Sequence, residues 1–129
     1  MIPELIIAIT LASEAIGEPL YGKQVVASVI VNRAQERKLS PAEVCLQRKQ
    51  FSWWNGKTLQ DAEAFAEKCR ERSPEEWADC MELAVKIHNE RFVPVAWVNH
   101  FYAPALCKPR WANKLKGVIK VGGHIFGRL

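Results

Sequence analysis

The sequence predicts an α+β domain, mostly helical, with a small antiparallel β-sheet or hairpin contributed late. Two observations carry that expectation. Over the first two thirds, apolar residues recur at helical spacing between recognisable helix starts and stops. After Phe92 the pattern becomes β-prone and ends in Val118-Ile119-Lys120-Val121, Gly122-Gly123 and His124-Ile125-Phe126, a hairpin signal. At 129 residues the chain reads as one domain, residues 1–129, and 49% hydrophobic with 25% charged residues excludes disordered and fibrous classes.

The elements follow in order. A first helix is expected from about Pro3 to Ala15, apolar on almost every face and stopped by Gly17 and Pro19. A second, about Tyr21 to Arg37, sets Val25, Val26, Val29 and Ile30 on one side. Ser40-Pro41-Ala42-Glu43 is a capping box with proline at the first helical position, and it opens a short helix. Thr58 to Arg72 is expected to be helical and to pack as a hairpin against its successor. Ser73-Pro74-Glu75-Glu76 repeats the capping device, and the helix it opens shows Trp77, Met81, Ala84, Val85 and His88 on one face. Val93 to Val98 reads as β-prone.

The run Leu5 to Ala12 lacks a basic leader and a cleavage site, carries Glu4 in front, and is far shorter than the roughly 18–20 residues a membrane span needs. It reads as a buried helix of a chain made in the cytoplasm, with no stable membrane insertion. Cys45, Cys69, Cys80 and Cys107 form no C-x-x-C pair, and His88, His100 and His124 are not at zinc spacing to them. No metal or cofactor is expected. Buried free thiols are the simpler reading, with one or two disulfides formed after release as the alternative. A net charge of +4 favours an anionic surface without choosing among nucleic acid, membrane and wall polymer.

Chemistry concentrates in two places. Glu14 ends an apolar helix, where the helix dipole is negative and the surface apolar; both disfavour the charged carboxylate. A carboxyl kept protonated near neutral pH is what a general acid for glycosidic cleavage requires. Glu18 follows at the mouth of the same turn, and both glutamates also read as solvated loop residues. In Gln50-Phe51-Ser52-Trp53-Trp54-Asn55-Gly56, two adjacent rings beside amide and hydroxyl groups suit a carbohydrate groove, unless one tryptophan simply covers the core. Asn99-His100-Phe101-Tyr102 offers a similar mixture, and His124 reads as an anchor for its hairpin. No G-x-S-x-G, P-loop, H-E-x-x-H or G-x-G-x-x-G occurs, and the scattered basic residues read as a solvated face as well as a nucleic-acid groove.

Taken in order, these motifs resemble the SleB-type cell wall hydrolases, a group that includes spore-cortex-lytic enzymes and some phage endolysins. The family's E-A-R-G-E-P, then G-Q-x-A-V-A-x-V-x-x-N-R, is found as Glu14-Ala15-Ile16-Gly17-Glu18-Pro19, then Gly22, Val25-Val26-Ala27, Val29 and Asn32-Arg33. Its Q-F-S is Gln50-Phe51-Ser52 and its G-N-H-x-F is Gly122-Gly123-His124-Ile125-Phe126, so the likeness covers nearly the whole chain. Ile16, Lys23 and Gly123 stand where Arg, Gln and Asn are usual, and Gly56 to Val93 is more helical and charged than the family pattern.

The resemblance implies a lysozyme-like domain that cuts peptidoglycan between N-acetylmuramic acid and N-acetylglucosamine, with Glu14 as the catalytic acid. It implies lytic transglycosylation, which needs one carboxylate and leaves a 1,6-anhydro end. The expected groove residues are Glu18, Gln50, Phe51, Ser52, Trp53, Asn99 and Tyr102, with Trp53 or Trp54 as stacking platform. Glu18 has two readings, a hydrolytic partner to Glu14 in a muramidase or a cap that organises the turn. The alternative class is an inert glycan- or nucleic-acid-binding module. The partner expected is bacterial peptidoglycan rather than nucleic acid, met by a monomer. The setting expected is a phage endolysin released by a holin, or a bacterial enzyme without its export segment.

Overall fold

The computed structural model describes residues 1–48 and 50–129. The helices are α1 (Pro3–Ala15), α2 (Leu20–Arg37), α3 (Pro41–Leu46), α4 (Leu59–Arg72) and α5 (Pro74–His88). Strands β1 (His100–Tyr102), β2 (Lys116–Val121) and β3 (His124–Arg128) follow, and short 3-10 turns cover Ser52–Trp54 and Arg110–Lys114. The domain is therefore α+β and mostly helical, as expected.

Helix α1 is apolar all round because it is central: Ile7, Ala8, Ile9 and Leu11 are fully buried, and α2, α3, α4 and α5 all pack on it. The valine stripe of α2 is equally buried. The Ser40–Glu43 capping box forms as read, with Glu43 N–H donating to Ser40 Oγ at 3.2 Å and Ser40 N–H to Glu43 Oε1 at 3.0 Å. A second box, Thr58 with Asp61, opens α4.

Three expectations change. Ser73 makes no side-chain cap on α5, because it also terminates α4 and the single-residue junction holds it away from that geometry. The glutamate that would complete the box, Glu76, turns instead toward the end of α1. The buried face of α5 is Trp77, Cys80, Leu83, Ala84 and Ile87, while Val85 and His88 are exposed: the stripe leans one position toward α1. Val93 to Val98 forms no strand. Pro94 has no N–H to give a ladder, and the neighbouring groups are satisfied by α2 side chains. Val95 N–H donates to Ser28 Oγ at 2.9 Å, and Asn32 Nδ2 donates to the Ala96 and Val98 carbonyls at 3.1 and 2.8 Å.

The sheet has β3 at its centre, in the order β1-β3-β2, antiparallel throughout. Phe101 pairs with Phe126 and Val121 with His124, so the Gly122-Gly123 hairpin forms as predicted. Buried Phe126 pins this sheet to the helical core. The sheet thereby brings β1 and the hairpin to the C-terminal end of α1.

Candidate active site

The turn after α1 is built from its own sequence. Gly17 has a φ of +90°, open to glycine and costly for other residues. Its N–H donates to Glu76 Oε1 at 2.7 Å, and the same oxygen accepts from Lys23 Nζ at 2.9 Å. Lys23 Nζ also donates to the Glu18 carbonyl at 2.5 Å, and its side chain is almost wholly buried. A clip from α2 and α5 thus holds the loop that follows Glu14. Glu76 is kept below the usual carboxylate range by the hydrogen bonds from Lys23 and Gly17.

Glu14 itself projects from the last turn of α1 into a cleft of about 480 Å³. Ser13, Arg33, Gln50, Ser52, His100 and Tyr102 border it together with Phe101, His124 and residues between Ala103 and Trp111. Burial raises the Glu14 pKa above the ordinary carboxylate value, opposed by the positive charge of Arg33. Arg33 is the cleft's buried cation, 5% exposed, with Nε donating to the Asn99 carbonyl at 2.8 Å and its guanidinium over the Phe51 ring at 5.3 Å. Burial, with Arg37 nearby, lowers its pKa to about 10, so it remains charged at neutral pH. His100 is pushed down by burial and by Arg33 and Arg37, which leaves a neutral imidazole against Trp111, 5.1 Å between ring centroids.

Of the residues expected to line a groove, Glu14, Gln50, Ser52 and Tyr102 meet here. The Gln50 side-chain Oε1 accepts from Arg37 Nη1 at 2.8 Å, which orients its amide. Five others do not border the cleft, each for a visible reason. Phe51 is 2% exposed and belongs to the core, where its ring packs on Phe101 and under the Arg33 guanidinium. Trp53 turns to the other side of Ser52 and packs on Trp54 and Phe65. Asn99 is buried: its Oδ1 accepts from the Leu129 N–H at 2.9 Å, and its Nδ2 donates to Glu36 at 3.2 Å. Trp54 is anchored through Nε1 to Thr10 Oγ1 at 2.8 Å.

Glu18 is the fifth. Its carboxylate accepts from the Gly123 N–H at 3.0 Å and lies 3.1 Å from His124 Nδ1, off that nitrogen's hydrogen-bonding direction. A Cβ at Gly122 would stand 1.8 Å from Glu18 Oε2, and Gly122 has a φ of +55°. Gly122 is therefore required beside Glu18, whereas a Cβ at Gly123 would only be tight, 3.2 Å from Glu18 Oε1. His124 anchors the turn between Phe101 and Phe126, and burial lowers its pKa while Glu18 raises it.

Sequence reasoning missed Arg33 and Trp111 as cleft residues and Lys23–Glu76 as the clip, while His100 lay within the Asn99–Tyr102 stretch it singled out. Arg33 carried a signal within Asn32-Arg33; Trp111, Lys23 and Glu76 were separated in sequence with no local pattern. Cys45, Cys69 and Cys80 are buried free thiols, but Cys107 is exposed at the cleft. Among the described residues, no cluster of metal-ligating side chains occurs and no helix is long and apolar enough to cross a membrane.

Two comparisons bear on this arrangement. The pattern that defines the cell wall hydrolase family matches residues 17–127, beginning three residues after Glu14. The fold is similar to the catalytic domain of the germination-specific lytic transglycosylase SleB from Bacillus anthracis: TM-score 0.67, 21% identity, 98% of this chain and 93% of that one covered. No curated protein matches the chain by sequence.

Proposed function

Because the chain belongs to the cell wall hydrolase family, we propose that it cuts peptidoglycan glycan strands between N-acetylmuramic acid and N-acetylglucosamine as a lytic transglycosylase. Glu14 is the general acid and base. The observation that carries this reading is a carboxyl raised by burial in a cleft that no other carboxylate borders among the described residues. The SleB catalytic domain, a lytic transglycosylase by name, shares the fold and supports the same reading.

The chemistry needs only that group. Protonated Glu14 gives its proton to the glycosidic oxygen as the C1–O bond breaks. The resulting carboxylate takes the proton of the muramic acid C6 hydroxyl as that oxygen bonds to C1, so the acid is regenerated and a 1,6-anhydro end is left. A two-carboxylate hydrolase would need a partner roughly 5–9.5 Å away to act as nucleophile or to activate water. Glu18 is engaged by the hairpin.

The decisive measurement is mass spectrometry of fragments released from purified sacculi. Anhydro ends are expected from the wild type. Reducing ends would assign hydrolysis instead, and no fragments at all would leave a binding module. Glu14→Gln is expected to lower release at least about 100-fold, the scale of a lost general acid.

A further inference from the structure

A second groove, of about 350 Å³, lies beside the cleft on the other side of the Ser13 ridge. Ser13 borders both, and the consecutive residues Ser52 and Trp53 contribute one to each. Its floor is apolar, made by Ile16, Trp53 and Phe65, with Trp53 and Phe65 in contact at 4.7 Å between ring centroids. Its rim is Lys68 and Arg72 from α4. The sorting of charge is what stands out. Helix α4 carries Asp61, Glu63, Glu67 and Glu71, yet no acid borders the groove among the described residues. Arg72, in the last turn of α4, suits the helix dipole, but that accounts neither for Lys68 nor for the acids being kept to other faces.

We propose that this groove seats a peptide stem of the peptidoglycan strand whose sugars lie against Glu14, with Lys68 and Arg72 taking its free carboxylates. The proposal rests on the peptidoglycan reading and extends it to the substrate's peptide part. A stem leaves the glycan at the lactyl group of muramic acid, the sugar beside the bond to be cut. A stem leaving a strand in the Glu14 cleft therefore has a neighbouring groove to enter. The methyl and methylene groups of stem residues fit the apolar floor, and their carboxylates fit the two cations. The site is a surface one, so its contribution is to hold stem-bearing strands rather than to act on the reacting bond.

Sedimentation separates this from general wall binding. In a Glu14→Gln background, binding is measured to intact sacculi and to glycan strands stripped of stems by an amidase. Lys68→Glu with Arg72→Glu is expected to weaken binding to intact sacculi about tenfold, and to leave stem-free strands unchanged. Lys68→Gln with Arg72→Gln is expected to give roughly a threefold loss on intact sacculi alone. Both side chains are exposed, so the Gln pair should melt with the parent, while the Glu pair, set against the dipole at the end of α4, should melt slightly lower and still cooperatively. Equal losses on both substrates, or none on either, would overturn the proposal. Loss confined to anionic phospholipid vesicles would assign the cations to a membrane and overturn it as well. Fragment release by the wild type is read separately, so a failure of the enzymatic reading is distinguishable from a failure of the groove.

Discussion

Glu14 is a carboxyl whose environment works against its charge, and that has two consequences of opposite sign. A general acid must be protonated, so activity is expected to fall as pH rises through its raised pKa, placing the basic limb above the ordinary value of 4.5. Arg33 opposes the raise, so Arg33→Met should move that limb to higher pH, while Arg33→Lys holds it near the wild-type position; pH–rate profiles on sacculi check both. For stability, a folded-state pKa above the unfolded one favours folding below the unfolded value and loses that contribution as pH rises through the folded value. Glu14→Gln removes the cost of burying the carboxylate. It is expected to melt above the wild type at pH 8, with the gap closing below about pH 4.5.

At the scale of elements, the α1–α2 turn is held by partners from three directions. Replacing Glu76 by Met removes both hydrogen bonds to its carboxylate and leaves Lys23 charged and buried with the Glu18 carbonyl as its remaining acceptor, at a cost of about 2–3 kcal/mol in denaturant unfolding. Because Glu76 is held low, that contribution in the wild type is present at neutral pH and lost as pH falls through its folded value, below 4.5. The hairpin presents the complementary case. Gly122→Ala meets both a positive φ and the Glu18 carboxylate, and it is expected to destabilise by about 1–3 kcal/mol. Adding Glu18→Ala should recover the steric part but not the conformational part, so the double mutant is more stable than the two single losses added together. Thermal melts of the three variants test this.

At the scale of the molecule, a helical body around α1 is joined to a sheet that closes the cleft from the far end of the chain. The core that joins them is spread over every element, so Phe126→Ala, at a residue with no exposure, should cost about 3–5 kcal/mol and loosen β1 and the cleft wall together. The helical half was readable from sequence because periodicity, proline and capping are local signals: α1, α2 and α4 fall within a residue of their expected bounds, and α3 opens where its capping box places it. The α5 face and the 93–98 segment were not readable, because burial against α1 and hydrogen bonds to Ser28 and Asn32 join positions more than sixty residues apart. The candidate site divides the same way. Glu14 was legible from its place at an apolar helix end, and Gln50, Ser52 and Tyr102 from their mixture of polar and aromatic groups.

Sequence alone determined the α+β class, the helical elements, the hairpin and the position of a carboxyl disfavoured in its charged form. Those properties depend on neighbours a few residues away. Tertiary structure decided which polar groups share the cleft with Glu14: Arg33 entered it, while Glu18, Phe51, Trp53 and Asn99 were directed elsewhere. The physical reason is that a side chain's function follows from what satisfies it. Glu18 is satisfied by a hairpin turn more than a hundred residues away, and Asn99 by the chain's last residue, partners that no local pattern announces.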